Sequence, residues 1–96
     1  MPDPAFGSLI FSAAIEEATQ DSTILAAISR RIDLYTSGDW GSLDEDDWDA
    51  NIQTTRRNQG TLFGCYRLSC KKVVHITTFD YGTAQAKTIV GFRREV

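Results

Sequence analysis

The side chains best suited to chemistry lie in one short stretch of the chain, between Asp39 and Asp49. Six carboxylates and both tryptophans occupy these eleven positions, and no basic residue separates them. A cluster of this density creates a negative potential that attracts surfaces rich in lysine and arginine, with association rates that fall as salt rises. The residues predicted to bind a partner are Asp39, Trp40, Asp44, Glu45, Asp46, Asp47 and Asp49.

Helix capping is a competing explanation for the acidic stretch. Exposed amides and the helix dipole stabilise acids at a helix start by roughly 0.3–1 kcal/mol each. Capping occupies one or two carboxylates, whereas this stretch supplies six. A metal site is not expected, because Asp44 to Asp47 are consecutive and consecutive helical residues radiate instead of converging. Trp40 is interpreted either as part of the core or as an apolar anchor rimmed by acids.

Charge is distributed unevenly along the chain. Residues 1–50 carry eleven acids and two bases, a net of −9, whereas residues 51–96 carry two acids and eight bases, a net of +6. Arg67, Lys71 and Lys72 cluster around a predicted hairpin, but the isoelectric point near 4.9 falls short of the strongly basic character of nucleic-acid-binding domains. We therefore expect a basic protein partner and no direct contact with nucleic acid.

The sequence offers little equipment for catalysis. It lacks a GxSxG elbow, a glycine-rich phosphate loop and an HExxH motif. Its only histidine is His75, and the spacing of Cys65 and Cys70 fits neither a CxxC redox pair nor a zinc set. We predict a protein that is not an enzyme and needs no cofactor or metal. The alternative is a catalytic His75–Cys65 pair formed across neighbouring strands.

Length and hydropathy predict one domain over residues 1–96, in the cytoplasm. Ninety-six residues suffice for one modest core. No apolar run approaches the roughly 20 residues that cross a bilayer. The N-terminus also lacks the basic region of a secretory signal.

Hydrophobic periodicity predicts the elements that position the acidic stretch. Leu9 to Phe11 indicates a short strand followed by a helix over 13–18, with one helix over 8–20 as the alternative. A second helix begins at Asp21 or Ser22 and ends at Gly38. Its predicted buried residues are Ile24, Leu25, Ile28, Ile32 and Tyr35.

A capping-box pattern, Ser42 followed by Glu45, predicts that Ser42 caps the start of the next helix. Its inner face comprises Trp48, Ile52 and Thr55, and it stops at residues 58–60. Strands follow around 62–68, 73–79 and 88–92, with turns over 69–72 and 80–83. The predicted fold is α+β: a small antiparallel β-sheet of three to four strands with two helices packed on one face.

The order of these motifs resembles a family of small bacterial proteins encoded by plasmids and other mobile elements. Their function is uncharacterised, and some members are loosely associated with restriction systems. The segments that carry the resemblance are Gly7-Ser8-Leu9-Ile10, Gly38-Asp39-Trp40-Gly41, Asp47 with Asn51, Gly64-Cys65-Tyr66, and Ile76-Thr77 with Asp80.

The departures from the family pattern concern three polar positions. The resemblance implies a His at Tyr35, a Glu at Thr78 and an Arg at Tyr81, so this chain has replaced all three. The retained Trp40, Asp47 and Asn51 are then expected to determine the fold. In particular, Asn51 and Asp39 are expected to fix the loop between the two helices by hydrogen bonds.

These observations lead to two hypotheses. The first is a non-enzymatic phage or mobile-element protein that binds and inhibits a host nucleic-acid-directed defence complex, of the anti-CRISPR or anti-restriction type. Its partner is a host protein or nucleoprotein complex with a basic groove, which the acidic surface occupies. The alternative is an accessory protein of the element without a defence role, which forms a homodimer through a sheet edge.

Overall fold

The computed structural model describes residues 4–68 and 71–93 of the chain. A short 3₁₀ turn, Pro4–Phe6, precedes seven regular elements. These are β1 (Ser8–Phe11), α1 (Ala13–Ala18), α2 (Ser22–Thr36), α3 (Glu45–Arg57), β2 (Leu62–Arg67), β3 (Val73–Phe79) and β4 (Lys87–Phe92). In the described residues, no helix is both long enough and apolar enough to span a bilayer.

The four strands form one mixed sheet in the order β1-β4-β3-β2. β2, β3 and β4 are antiparallel, whereas β1 lies parallel to β4. This confirms the α+β class, with a mixed sheet in place of a purely antiparallel one. β2, β3 and β4 pair with their neighbours in the sequence because only turns separate them. β1 is followed by helices, so tertiary packing determines which strand it pairs with. The turn predicted over 69–72 includes Ser69 and Cys70, which lie outside the described residues.

The segment over residues 8–20 forms a strand and then a helix, so the single-helix alternative is wrong. Ser12 separates the two elements with an extended backbone, and its Oγ accepts a hydrogen bond from the Ile15 amide at 3.2 Å. This is an N-cap, which satisfies one of the unpaired amides of the first helical turn. Ile15 is fully buried beneath it.

The buried face of α2 is narrower than its sequence pattern predicts. Ile28 and Tyr35 are buried and Ile24 and Ile32 are partly buried, as expected. Leu25, however, is 42% exposed, so its predicted place in the core is wrong. Leu25 lies about 60° around the helix from the fully buried Ile28, at the margin of the buried face. As predicted, the helix ends just before Gly38, which has a positive φ of 95°.

The start of α3 lies two residues later than predicted. Asp44 is the N-cap, and its Oδ1 accepts a hydrogen bond from the Asp47 amide at 2.8 Å. Ser42 does not form the capping box: its amide, which would donate to the Glu45 carboxylate in that motif, donates instead to the carbonyl of Cys65 at 2.7 Å. Pairing with β2 therefore takes Ser42 away from the helix.

The core lies between the helices and one face of the sheet. α1 lies against β4 and β1, α2 against β3, and α3 against β2. The sheet buries alternate residues on this face, including Leu62, Tyr66, Val74, Ile76 and Val90. Among the described residues, no element covers the opposite face.

Three hydroxyl groups form a buried chain through this core. Tyr35 Oη lies 2.7 Å from Thr78 Oγ1, which lies 2.7 Å from Thr88 Oγ1. At the two ends, Tyr35 donates to the Leu62 carbonyl at 3.1 Å and Thr88 to the Phe6 carbonyl at 2.7 Å. Each hydroxyl has one proton to donate, so Thr78 donates to either Tyr35 or Thr88, and three of the four contacts carry a proton at any time. Burial raises the pKa of Tyr35 well above its usual range, so its hydroxyl keeps its proton.

We expect Tyr35→Phe to lower the free energy of unfolding by about 1 kcal/mol, because it removes one donor from this buried chain. Urea denaturation of the variant measures the loss. Ser29→Ala, on the exposed face of the same helix, is the matched control and should be neutral. Equal stability of Tyr35→Phe and the wild type would contradict a stabilising role for the hydroxyl chain.

Candidate functional site

The Gly38–Gly41 motif forms the loop that leads to the acidic helix. Asp39 Oδ1 accepts a hydrogen bond from the Gly41 amide at 3.1 Å, and the Asp39 carbonyl accepts one from the Tyr66 hydroxyl at 2.7 Å. Asp39 therefore fixes the loop between α2 and α3, as predicted. One of the six clustered carboxylates is thus part of the fold.

The residues after Asp39 add a short bridge to the outer edge of β2. The Cys65 amide donates to the Trp40 carbonyl at 3.1 Å, and the Cys65 carbonyl accepts from Ser42. Gly41, between them, pairs with Cys65 in parallel. Gly41 has a φ of 77°, and a Cβ at this position would overlap the Cys65 carbonyl oxygen. Only glycine fits here without distortion.

Asn51 bonds to the same edge of β2 at Phe63, two residues before Cys65. Its side-chain Nδ2 donates to the Phe63 carbonyl at 2.7 Å, and its Oδ1 accepts from the Phe63 amide at 3.2 Å. The primary amide reproduces the donor and acceptor of a neighbouring strand. The expectation that Asn51 fixes the loop between the helices is therefore wrong. It attaches α3 to β2 instead, and it is only 3% exposed.

Two further side chains form hydrogen bonds to the outer edge of β2, and sequence analysis missed both. Thr54 Oγ1 donates to the Thr61 carbonyl at 3.0 Å, and Arg31 Nη2 donates to the Arg67 carbonyl at 3.3 Å. Thr54 lies three residues after Asn51, on the same side of α3. The three-residue spacing of Asn51 and Thr54 is the only signal in the sequence that could have indicated these bonds to the edge of β2.

Trp40 is part of the core and not an exposed anchor. It is 5% exposed, and its ring packs edge-on against Trp48 with 5.1 Å between centroids. The interpretation of Trp40 as an apolar contact for a partner is therefore corrected, because a partner cannot reach a buried ring. The Trp40 indole nitrogen is buried without a hydrogen-bond acceptor in the described part of the chain. An unpaired buried N–H costs about 1–3 kcal/mol.

The six carboxylates divide into two groups by what they contact. Asp39 and Asp44 accept hydrogen bonds from backbone amides. Within residues 4–68 and 71–93, the side chains of the other four form no hydrogen bond and no ion pair, and all four are exposed. These four residues, the free carboxylates, are Glu45, Asp46, Asp47 and Asp49. In the described ranges, no group of three or more His, Cys, Asp or Glu side chains is arranged to hold a metal ion.

His75 and Cys65 are direct partners across β2 and β3. They lie on the uncovered face of the sheet, where the Phe63 ring packs edge-on against the imidazole at 5.0 Å. No hydrogen bond joins the Cys65 thiol to His75 in the described residues. Burial, and then the nearby Arg93 guanidinium, lower the pKa of His75. The imidazole is therefore neutral near pH 7.

The three positions at which the resemblance implies a His, a Glu and an Arg lie close together. Tyr35 contacts Thr78 through the hydroxyl chain. The ring of Phe6 packs against both Tyr35, at 5.6 Å, and Tyr81, at 5.4 Å. The arrangement encloses hydroxyl and aromatic groups where the resemblance implies charged ones.

Comparison with known proteins adds no relative to this description. No model of a known protein family matches the chain. No curated protein and no solved structure shows significant similarity to it.

We expect Asn51→Ala to lower the free energy of unfolding by about 2 kcal/mol, because it leaves the Phe63 amide and carbonyl without partners. Urea denaturation measures the change. Gln53→Ala, exposed on the same helix, is the control and should have little effect. A loss no larger for Asn51→Ala than for Gln53→Ala would show that water replaces the amide without cost.

We also expect His75 to make stability depend on pH. Its folded pKa lies below the ordinary value of 6.5, so the unfolded chain binds a proton more readily. The stability that the neutral imidazole provides is complete above pH 6.5 and is lost as the pH falls below it. Thermal unfolding at pH 7.5 and 5.5 measures this effect. The melting temperature should decrease between pH 7.5 and pH 5.5, and the decrease should be smaller in His75→Gln than in the wild type. An unchanged decrease would assign the pH dependence to other groups.

Proposed function

We propose that this protein is a non-enzymatic inhibitor from a phage or other mobile element. It binds a basic groove of a host nucleic-acid-directed defence complex, of the anti-CRISPR or anti-restriction type, in the bacterial cytoplasm. The observation that carries the proposal is the set of free carboxylates, which are exposed and are not neutralised by the described residues of the chain. Such a surface leaves its whole negative potential for a partner.

The spacing of these charges resembles that of nucleic acid. Four of the five residues over 45–49 are acidic. At about 1.5 Å of rise per helical residue, the helix carries one charge per about 1.9 Å of its axis. Double-stranded DNA carries one per about 1.7 Å. A groove lined with lysine and arginine for phosphates would therefore meet a comparable linear charge density.

The support of the acidic helix favours binding as well. Asn51 attaches α3 to β2, and Trp48 packs against the buried Trp40 within the first turns. A helix start that is already fixed loses little conformational entropy when a partner binds it. The carboxylates at successive positions also point in directions about 100° apart, which suits the two walls of a groove.

The test neutralises three of the free carboxylates and spares those that stabilise the fold. The variant Glu45→Gln, Asp46→Asn, Asp49→Asn removes three charges while Asp39 and Asp44 keep their hydrogen bonds. The matched control, Glu16→Gln, Glu17→Gln, Asp33→Asn, removes three exposed charges elsewhere. Both are expressed in hosts that carry a CRISPR or restriction system, and phage plating is measured.

We expect the wild type and the control to protect phage and the Glu45, Asp46, Asp49 variant to lose protection by about tenfold or more, since each exposed pair contributes roughly 0.2–1 kcal/mol. Affinity capture of the wild type should retain a nucleoprotein complex that elutes as salt rises. Full protection by the folded variant, or equal loss in the control, would refute the assigned surface. No protection by the wild type against any system would refute the function.

A further inference from the structure

The two outer edges of the sheet differ in how their backbone groups are satisfied. The outward groups of β2 are bonded at residues 61, 63, 65 and 67, as described above. On β1, Ser8 and Ser12 donate to carbonyls of the β4 side, at 3.4 and 3.0 Å. By the alternation of strand residues, the amides and carbonyls of Leu9 and Phe11 point away from the sheet. Within residues 4–68 and 71–93, nothing bonds to them.

The composition of β1 does not block pairing. Its four residues include no charge and no proline, which are the usual means of protecting an edge strand. Leu9 is 50% and Ile10 is 43% exposed, and they are the two most exposed large hydrophobic residues described. Open backbone groups and exposed apolar side chains thus coincide on one strand.

We propose that β1 pairs antiparallel with β1 of a second copy of this chain, about a two-fold axis, to form a continuous eight-stranded sheet. With the axis at Ile10, Leu9 faces Phe11 of the partner subunit and Phe11 faces the partner subunit's Leu9. Each of these pairs exchanges two hydrogen bonds, which gives four in total. Ile10 meets the partner's Ile10 in the intervening pair that is not hydrogen-bonded, where side chains approach most closely.

The asymmetry of the edges indicates a second copy as the occupant. Each chain offers one open edge and one bonded edge, so pairing through β1 closes after two copies and cannot propagate. The strand also matches itself: Leu9 packs beside the partner's Phe11 on the helix side, and the isoleucines meet on the uncovered face. No like charges are brought together within the paired strands.

The free carboxylates of α3 do not oppose this pairing. β1 and β2 lie at opposite edges of the sheet, and the acidic helix lies beside β2. In the dimer, the two acidic regions are separated by about seven strand spacings of ~4.8 Å, or about 34 Å. That exceeds the Debye length of about 8 Å at physiological salt. The inference does not depend on the proposed function, although the dimer would present two acidic surfaces.

Sedimentation velocity over a range of micromolar concentrations tests the proposal. We expect the wild type to shift from monomer to dimer as concentration rises. Ile10→Lys places two like charges opposite each other and should raise the dissociation constant by about tenfold or more. Phe79→Lys is the matched control: Phe79 is 40% exposed on the uncovered face of a central strand, away from the edge, and its variant should still dimerise.

A mixing experiment separates loss of the interface from loss of the fold. Ile10→Lys and Ile10→Glu should each be monomeric alone and should form a heterodimer when mixed, because opposite charges then meet at the axis. A monomeric wild type at every concentration would overturn the proposal. Dimers that survive Ile10→Lys, or that Phe79→Lys abolishes, would overturn the β1 interface. Failure of the two folded variants to form a heterodimer would overturn the two-fold register.

Discussion

Hydrogen bonding along the outer edge of β2 is the constraint on which the rest of the structure depends. Trp40 and Ser42 bond to Cys65, and Asn51 bonds to both backbone groups of Phe63. These bonds close the sheet at this edge, place the loop between α2 and α3, and attach α3 to the sheet. Without these bonds, several backbone N–H and C=O groups at this edge would be buried without partners, which would lower the free energy of unfolding.

The same bonds explain the Gly38–Gly41 motif without reference to a ligand. Gly38 ends α2, Asp39 holds the turn, Trp40 fills the core, and Gly41 allows the backbone to approach Cys65. The Gly38–Gly41 motif is therefore a structural device in this chain. Its consequence for function is indirect: it delivers the start of α3, with the free carboxylates, to a fixed position on the surface.

The buried hydroxyl chain and the two sheet edges show how the chain distributes its polar groups. Tyr35, Thr78 and Thr88 satisfy one another with neutral hydroxyls, which are less costly to bury than charged groups. The charged groups remain outside, and the acids concentrate near β2. β1, at the other edge, carries neither charge nor cover. The free carboxylates and the uncharged strand β1 thus lie at opposite edges of the sheet.

The sequence by itself determined the elements with strong local signals. Leu62 to Arg67 and Val73 to Phe79 are rich in aromatic and β-branched residues, as strands are, and Gly38 stops a helix because it adopts positive φ. Only the tertiary structure decided what depends on partners distant in the chain. It gave Asn51 its contact with β2, buried Trp40, and moved the helix cap from Ser42 to Asp44. It also made β1 parallel to β4. Local propensity fixes backbone conformation, whereas burial and edge pairing depend on which segments meet.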